Sequence, residues 1–193
     1  MGRICLVTGG ARSGKSSFAQ EMAEAIKGTR IFIATCPILD KDLEARIKAH
    51  RASREGKGWR TIEEFINLKG AIRQAKDAHV VLVDCLTLWI NNLLHQAGEQ
   101  NSLLDEDKVQ QISREVLEVA RSIQGTVIFV TNEVGMGIVP ENQWARHYRD
   151  LLGRCNQVFA EGADEVVLMV SAIPVRIKEI DPRSGQSSQE MRR

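Results

Sequence analysis

The chain has no surplus of charge of either sign, no paired cysteines and no long hydrophobic run, and each absence removes a class of function. Lys plus Arg total 26 against 25 for Asp plus Glu, so no overall field draws the protein to nucleic acid or to an acidic membrane surface. Any basic patch is local. Cys5, Cys36, Cys85 and Cys155 are scattered, with no histidine near enough to suggest zinc, and reduced thiols in a cytosolic enzyme are the expectation. The apolar run Ile4 to Val7 gives way at once to glycines, too soon for a signal segment or a membrane span, so a cytoplasmic location is expected. No internal repeat or interdomain linker is visible. The 193 residues, 43% of them hydrophobic, suffice for one sizeable core. We therefore expect one domain over residues 1–193, with a loose polar tail from about residue 181.

What is present alternates. Apolar, β-prone runs recur at Ile4 to Thr8, Arg30 to Thr35, Val80 to Asp84, Thr126 to Thr131 and Glu165 to Val170. They are continuous, as in strands buried on both faces. Between them, Val109, Ile112, Val116, Val119 and Ile123 share one helical face, and Trp144, His147, Tyr148, Leu151, Leu152, Cys155 and Phe159 share another. The pattern predicts an α/β domain with a mainly parallel central sheet flanked by helices, and PVRIKEI after Ile173 predicts a short C-terminal edge strand. In such a sheet function belongs at the C-terminal ends of the strands.

One loop there is informative. Gly9, Gly10, Ala11, Arg12, Ser13, Gly14, Lys15 and Ser16 match G-x-x-x-x-G-K-[ST] between a predicted strand and a predicted helix, the context a P-loop requires. Small residues let backbone N–H groups wrap phosphates, and the helix start adds its dipole. Lys15 would reach the β and γ oxygens and the Ser16 hydroxyl would ligate Mg2+. Arg12 suits either a phosphate contact or a solvated loop. Asp84, closing VVLVD, stands where P-loop proteins place a magnesium carboxylate; the alternative is a cap on a helix starting near Leu86.

A second candidate lies in ILDKDLEARIKAHRASREGKGW. Leu39, Leu43 and Ile47 recur at helical spacing, and His50 continues their stripe toward the protein, with Arg46, Arg51 and Arg54 close by. A neutral imidazole among arginines can attack phosphorus and form a phosphoramidate; spacing alone is better satisfied by a structural histidine at the end of a buried stripe. His79, His95 and His147 lack that basic neighbourhood and are read as structural. The glycine-rich loop Thr131 to Pro140 suits close approach to a ligand, with Asn132 and Glu133 facing either a substrate or a metal, or else it is a plain connection.

Taken together, GGARSGKS, IATCPILD, ARIKAHRASR, WRTIEE, VDCLTLWINNLL and TNEVGMGIVPENQWARHYRDLLGRCNQ resemble the bifunctional adenosylcobinamide kinase and adenosylcobinamide-phosphate guanylyltransferase family, from Ile4 to about Lys178. The last of these motifs is far more specific than the P-loop. The resemblance implies two reactions of late cobalamin synthesis. ATP or GTP phosphorylates the aminopropanol hydroxyl of adenosylcobinamide. GTP then gives GMP to a histidine, and the phosphorylated corrinoid takes it up as adenosylcobinamide-GDP, with pyrophosphate released. It also implies that His50 is the guanylylated histidine. Ala34, Thr35, Cys36, Arg51, Ala52, Ser53, Arg54, Glu63 and Asp84 would contact nucleotide, and the protein would be a homotrimer. Cys36 stands where the family usually has a small hydroxyl residue. A monofunctional small-molecule kinase with a structural His50, and a P-loop switch or motor domain, are the competing readings.

Overall fold

The computed structural model describes residues 2–37 and 41–179, the side chains at 41–43 and 46 excepted. In chain order its elements are β1 (Arg3–Gly9), α1 (Lys15–Glu24), β2 (Arg30–Ala34), α2 (Lys41–Arg54), β3 (Trp59–Glu63), α3 (Leu68–Gln74), β4 (Val80–Asp84), α4 (Leu86–Glu99), α5 (Glu106–Ser122), β5 (Thr126–Val130), α6 (Gln143–Gly162), β6 (Glu165–Val170) and β7 (Ile173–Glu179). The strands form one sheet in the order β3-β2-β4-β5-β1-β6-β7. All neighbours are parallel except β6 and β7.

The unbroken apolar runs have their explanation in two cores. Ile4 and Leu6 of β1, Val81 and Val83 of β4, and Val127 and Phe129 of β5 face one core with α3 to α6. Cys5 and Val7, Val80 and Leu82, and Ile128 and Val130 face the other, covered by Ala19 and Ala23 of α1. Period-2 alternation with both faces covered leaves no polar position in a central strand. The expected α/β architecture with its C-terminal antiparallel edge strand is what forms.

Two elements have no counterpart among the predicted ones. β3 is an edge strand whose residues are largely exposed, so its sequence carries no apolar run. The seven-residue α3 is too short to show a helical period, and its N-cap Asn67 accepts from the Gly70 N–H.

Leu39 lies outside the described residues, as do the side chains of Leu43 and Arg46. Ile47 is half-buried. Among the described side chains, none from α2 joins either core. His50 is exposed, not turned into the protein as the stripe suggested; the contacts that attach α2 are made near its end, by Ser53 to Gln20 of α1 and by Arg54 to Phe32 of β2. The expected tail from about residue 181 also lies outside the described residues.

Candidate functional site

The loop between β1 and α1 is fixed by backbone geometry that its glycines permit. Gly9 has φ +146° and a Cβ there would meet the Met169 carbonyl oxygen at 2.4 Å. Gly14, the N-cap of α1, has φ 90° and no side chain caps the helix. α3, α5 and α6 are capped by Asn67, Asp105 and Asn142. An uncapped helix start behind a glycine loop offers its N–H groups to an anion. Lys15 is only 8% exposed; its Nζ donates to the Gly10 carbonyl and to Ser13 Oγ, so it lies within the loop. Burial pulls its pKa down, and Cys85 and Asp84 oppose that shift. Arg12 is exposed, with φ 59°. From behind, the Ala172 N–H donates to the Ser13 carbonyl at 3.0 Å, bracing the loop against the β6–β7 turn.

Parallel register lines up the strand ends: Ala34 pairs with Asp84, Asp84 with Val130, and Val130 with Val7. Asp84 therefore sits level with the P-loop, and its charge acts on both Lys15 and Arg54. Cys85 holds the N-cap position of α4 without a side-chain cap, so the capping role left open for Asp84 is not seen. Thr35 is fully buried. Its hydroxyl accepts from the Cys85 N–H at 2.7 Å and donates to the Cys85 carbonyl at 2.8 Å, which ties the end of β2 to the start of α4. The Cys36 Sγ donates to the Pro37 carbonyl at 3.5 Å. Burial, reinforced by Asp84, pushes the Cys85 thiol up to about 12, so it stays protonated.

The end of α2 is attached to α1 by a small polar clasp. Gln20, 8% exposed, donates to the Ser53 carbonyl at 3.0 Å and accepts from Ser53 Oγ at 3.0 Å. That hydroxyl also lies 2.9 Å from the His50 carbonyl. Glu24 accepts from Gln20, Lys57 and Trp59; burial opposes its ionisation, but these bonds outweigh burial and hold its pKa below the ordinary value. His50, Ser53, Ser17, Gln20 and Glu24 line a cleft of about 360 Å³ between α1 and α2. Arg54 is 6% exposed, with its guanidinium 3.5 Å from the centroid of the Phe32 ring and a buried Nη1 that has no hydrogen-bond partner. Such a contact is worth about 0.5–2 kcal/mol and fixes the last turn of α2 to β2. Arg51 pairs with Glu63 at the end of β3, while Ala52 is exposed.

The predicted residues thus form a continuous band. The P-loop and Asp84 lie at its centre. His50, Ser53 and Arg54 are joined to it through α1 and Phe32, and Arg51 with Glu63 lies toward the sheet edge. The other histidines are engaged elsewhere: His79 with Thr29, His147 with the Leu104 carbonyl, His95 against Trp144. Sequence reasoning missed Gln20 and Glu24, whose only signal is an i, i+4 polar pair on a helix behind a P-loop. It also missed Asn156, a polar residue on the apolar face of α6, and Thr8. Both hydrogen-bond to Glu133 after β5.

A parallel sheet with a P-loop, a strand-end aspartate and helices on both faces defines a P-loop nucleotide-binding protein. Residues 5–177 match the model of the cobinamide kinase / cobinamide phosphate guanyltransferase family. The chain belongs to that family. It is 44% identical over 185 residues to the bifunctional adenosylcobalamin biosynthesis protein CobU of Escherichia coli K12, covering 91% of this chain and 99% of the relative. Identity to the bifunctional adenosylcobalamin biosynthesis protein CobU of Salmonella typhimurium LT2 is also 44%, over 91% of this chain and 99% of the relative. The protein named CobP of Pseudomonas aeruginosa PAO1 is 38% identical, over 90% of this chain and 96% of its own length.

Proposed function

We propose that this protein phosphorylates adenosylcobinamide with ATP or GTP and then, through a guanylylated His50, converts the product and GTP into adenosylcobinamide-GDP and pyrophosphate. The observation that carries the reading is that one helix, α1, joins both chemistries: the P-loop lies at its start and the His50 cleft along its side. A kinase alone has no need of an exposed histidine held there.

In the first reaction the loop amides and Lys15 stabilise charge on the γ-phosphoryl group. The donor set suits Mg2+, since Ser16 and Asp84 offer hard oxygens and the nearby Cys85 thiol stays protonated. Among the described residues no group of three or more His, Cys, Asp or Glu could hold a metal, which fits an ion held largely by phosphate and water. When bound, Mg2+ supplies positive charge against the triphosphate. In the second reaction an imidazole nitrogen of His50 forms a bond to the α-phosphorus as pyrophosphate leaves, and Arg51 and Arg54 lie near to offset the charge. Ala34, Thr35, Cys36, Ala52, Ser53 and Glu63 complete the nucleotide surroundings.

Residues 1–193 are read as one domain, acting in the cytoplasm; among the described residues no helix is long and apolar enough to cross a membrane. A homo-oligomer, a trimer by family resemblance, is supported by exposed Met136, Ile138, Val139 and Trp144 on one loop and helix start. A monomer by light scattering would overturn that part. The activity itself is tested by incubating the protein with adenosylcobinamide and GTP and weighing the products. Retention of label from α-labelled GTP on the protein distinguishes two activities from one.

A further inference from the structure

In the kinase reaction the attacking hydroxyl gives up its proton, and one carboxylate outside the P-loop is attached to the start of that loop. Glu133 lies three residues beyond β5, the strand between β4 and β1. Its N–H donates to the Gly9 carbonyl at 3.0 Å, which attaches it to the first residue of the phosphate loop. Its Oε1 accepts from Thr8 Oγ1 at 3.0 Å and from Asn156 Nδ2 at 3.3 Å. Asn156 is 8% exposed. It also donates to the Asn132 carbonyl at 3.0 Å and accepts from Thr131 Oγ1 at 2.7 Å. A buried amide on α6 thus holds three successive residues of the turn. Glu133 is fixed by one oxygen only; among the described residues its Oε2 has no hydrogen-bond partner.

Three other carboxylates among the described residues at this end of the sheet are committed. Glu63 pairs with Arg51. Glu64 accepts from the Ile66 and Asn67 N–H groups. Asp84 interacts with Lys15 and Arg54 and is the carboxylate suited to the metal.

We propose that Glu133 is the general base of the phosphoryl transfer, with Thr8 and Asn156 as its positioning residues. The inference rests on the kinase activity proposed above. The alcohol oxygen forms a bond to the γ-phosphorus while the bond from that phosphorus to the bridging oxygen breaks. The electron pair leaves on the nucleoside diphosphate, and the hydroxyl proton passes to Glu133 Oε2.

Glu133→Gln keeps the size of the side chain and an oxygen for Thr8 and Asn156, but it is not basic. Its kcat for adenosylcobinamide phosphorylation should fall by about 10²–10⁴-fold, with nucleotide affinity and circular dichroism unchanged. Glu133→Ala should lose the same activity and regain part of it in added formate, which should not accelerate the parent protein. Three outcomes overturn the assignment: a Gln variant with near-parental kcat, recovery of its rate at raised magnesium, or loss of nucleotide affinity in step with rate. A parent protein that phosphorylates no adenosylcobinamide would instead remove the functional reading beneath it, and the assignment with it.

Discussion

Replacing Lys15 by alanine removes an ammonium that the loop carbonyl of Gly10 already holds among the phosphate-binding amides. A donor set aimed at developing charge typically loses about 10²–10³-fold in rate with one member gone. Lys15→Ala should therefore cut adenosylcobinamide phosphorylation at least that far, and undiminished product formation would rule the role out. His50→Asn addresses the other half. His50 is exposed on α2, so the change leaves no buried cavity, while asparagine cannot form a stable phosphoramidate. Guanylyl transfer should stop and adenosylcobinamide phosphate should accumulate, because the P-loop keeps its lysine and its amides. Continued uptake of α-labelled GMP by the variant would show that another group is the nucleophile. Loss of both activities in a folded variant would place His50 in a shared nucleotide site.

Between β6 and β7 the chain turns through Ser171 and Ala172, with φ 50° and 67°, the two left-handed residues of a tight hairpin that normally favours Asn-Gly. The Ala172 N–H braces the Ser13 carbonyl, so a phosphate loop leans on a strained turn. Left-handed backbone costs a residue with a Cβ about 1–2 kcal/mol, whereas glycine adds about 0.5–1 kcal/mol of unfolded-state entropy. Ala172→Gly should therefore raise stability by about 0.5–1 kcal/mol and leave kinase activity intact; a lower midpoint in urea would contradict this. Ser171 and Ala172 carry no sequence signal for such a conformation, which the hairpin imposes on them. Strands β1, β2, β4, β5 and β6 were legible because burial on both faces leaves continuous apolar runs. β3 was not, because an edge strand with exposed side chains has no run to read. The P-loop was legible because its chemistry fixes residue type at fixed spacing. The place of His50 was not: the stripe predicted a helix correctly, but only tertiary contacts from Gln20 and Phe32 decide what that helix rests on.

At the scale of the whole molecule, the buried carboxylate of Glu165 links β1 and β7 at the end of the sheet opposite the site, and a second carboxylate there ties in α5. Asp164, just before β6, accepts from the Ile4 N–H of β1 at 2.7 Å and from Arg121 of α5, whose guanidinium also reaches the Gly2 and Gly162 carbonyls. Three segments distant in sequence thus share a single partly buried charge. Burial raises the pKa of Asp164, but the bonds from Arg121 and Ile4 outweigh it and hold the carboxyl below the ordinary aspartate value of 3.8. A depressed pKa means that the unfolded chain binds the proton first as pH falls. The contribution is therefore complete at neutral pH, begins to decline near the unfolded value of 3.8 and is gone once pH passes below the folded one. Bonds of this kind contribute about 1–2 kcal/mol when partly screened by solvent. Asp164→Asn should accordingly lower stability by about that amount in urea at pH 7, with little change in the two catalytic rates measured well below the melting temperature. The gap between variant and parent should close as the pH is lowered through 3.8 toward 2, because a protonated aspartate resembles asparagine in charge. A gap that persisted undiminished in acid would show that packing, and not the ionised carboxylate, joins β1, α5 and β6.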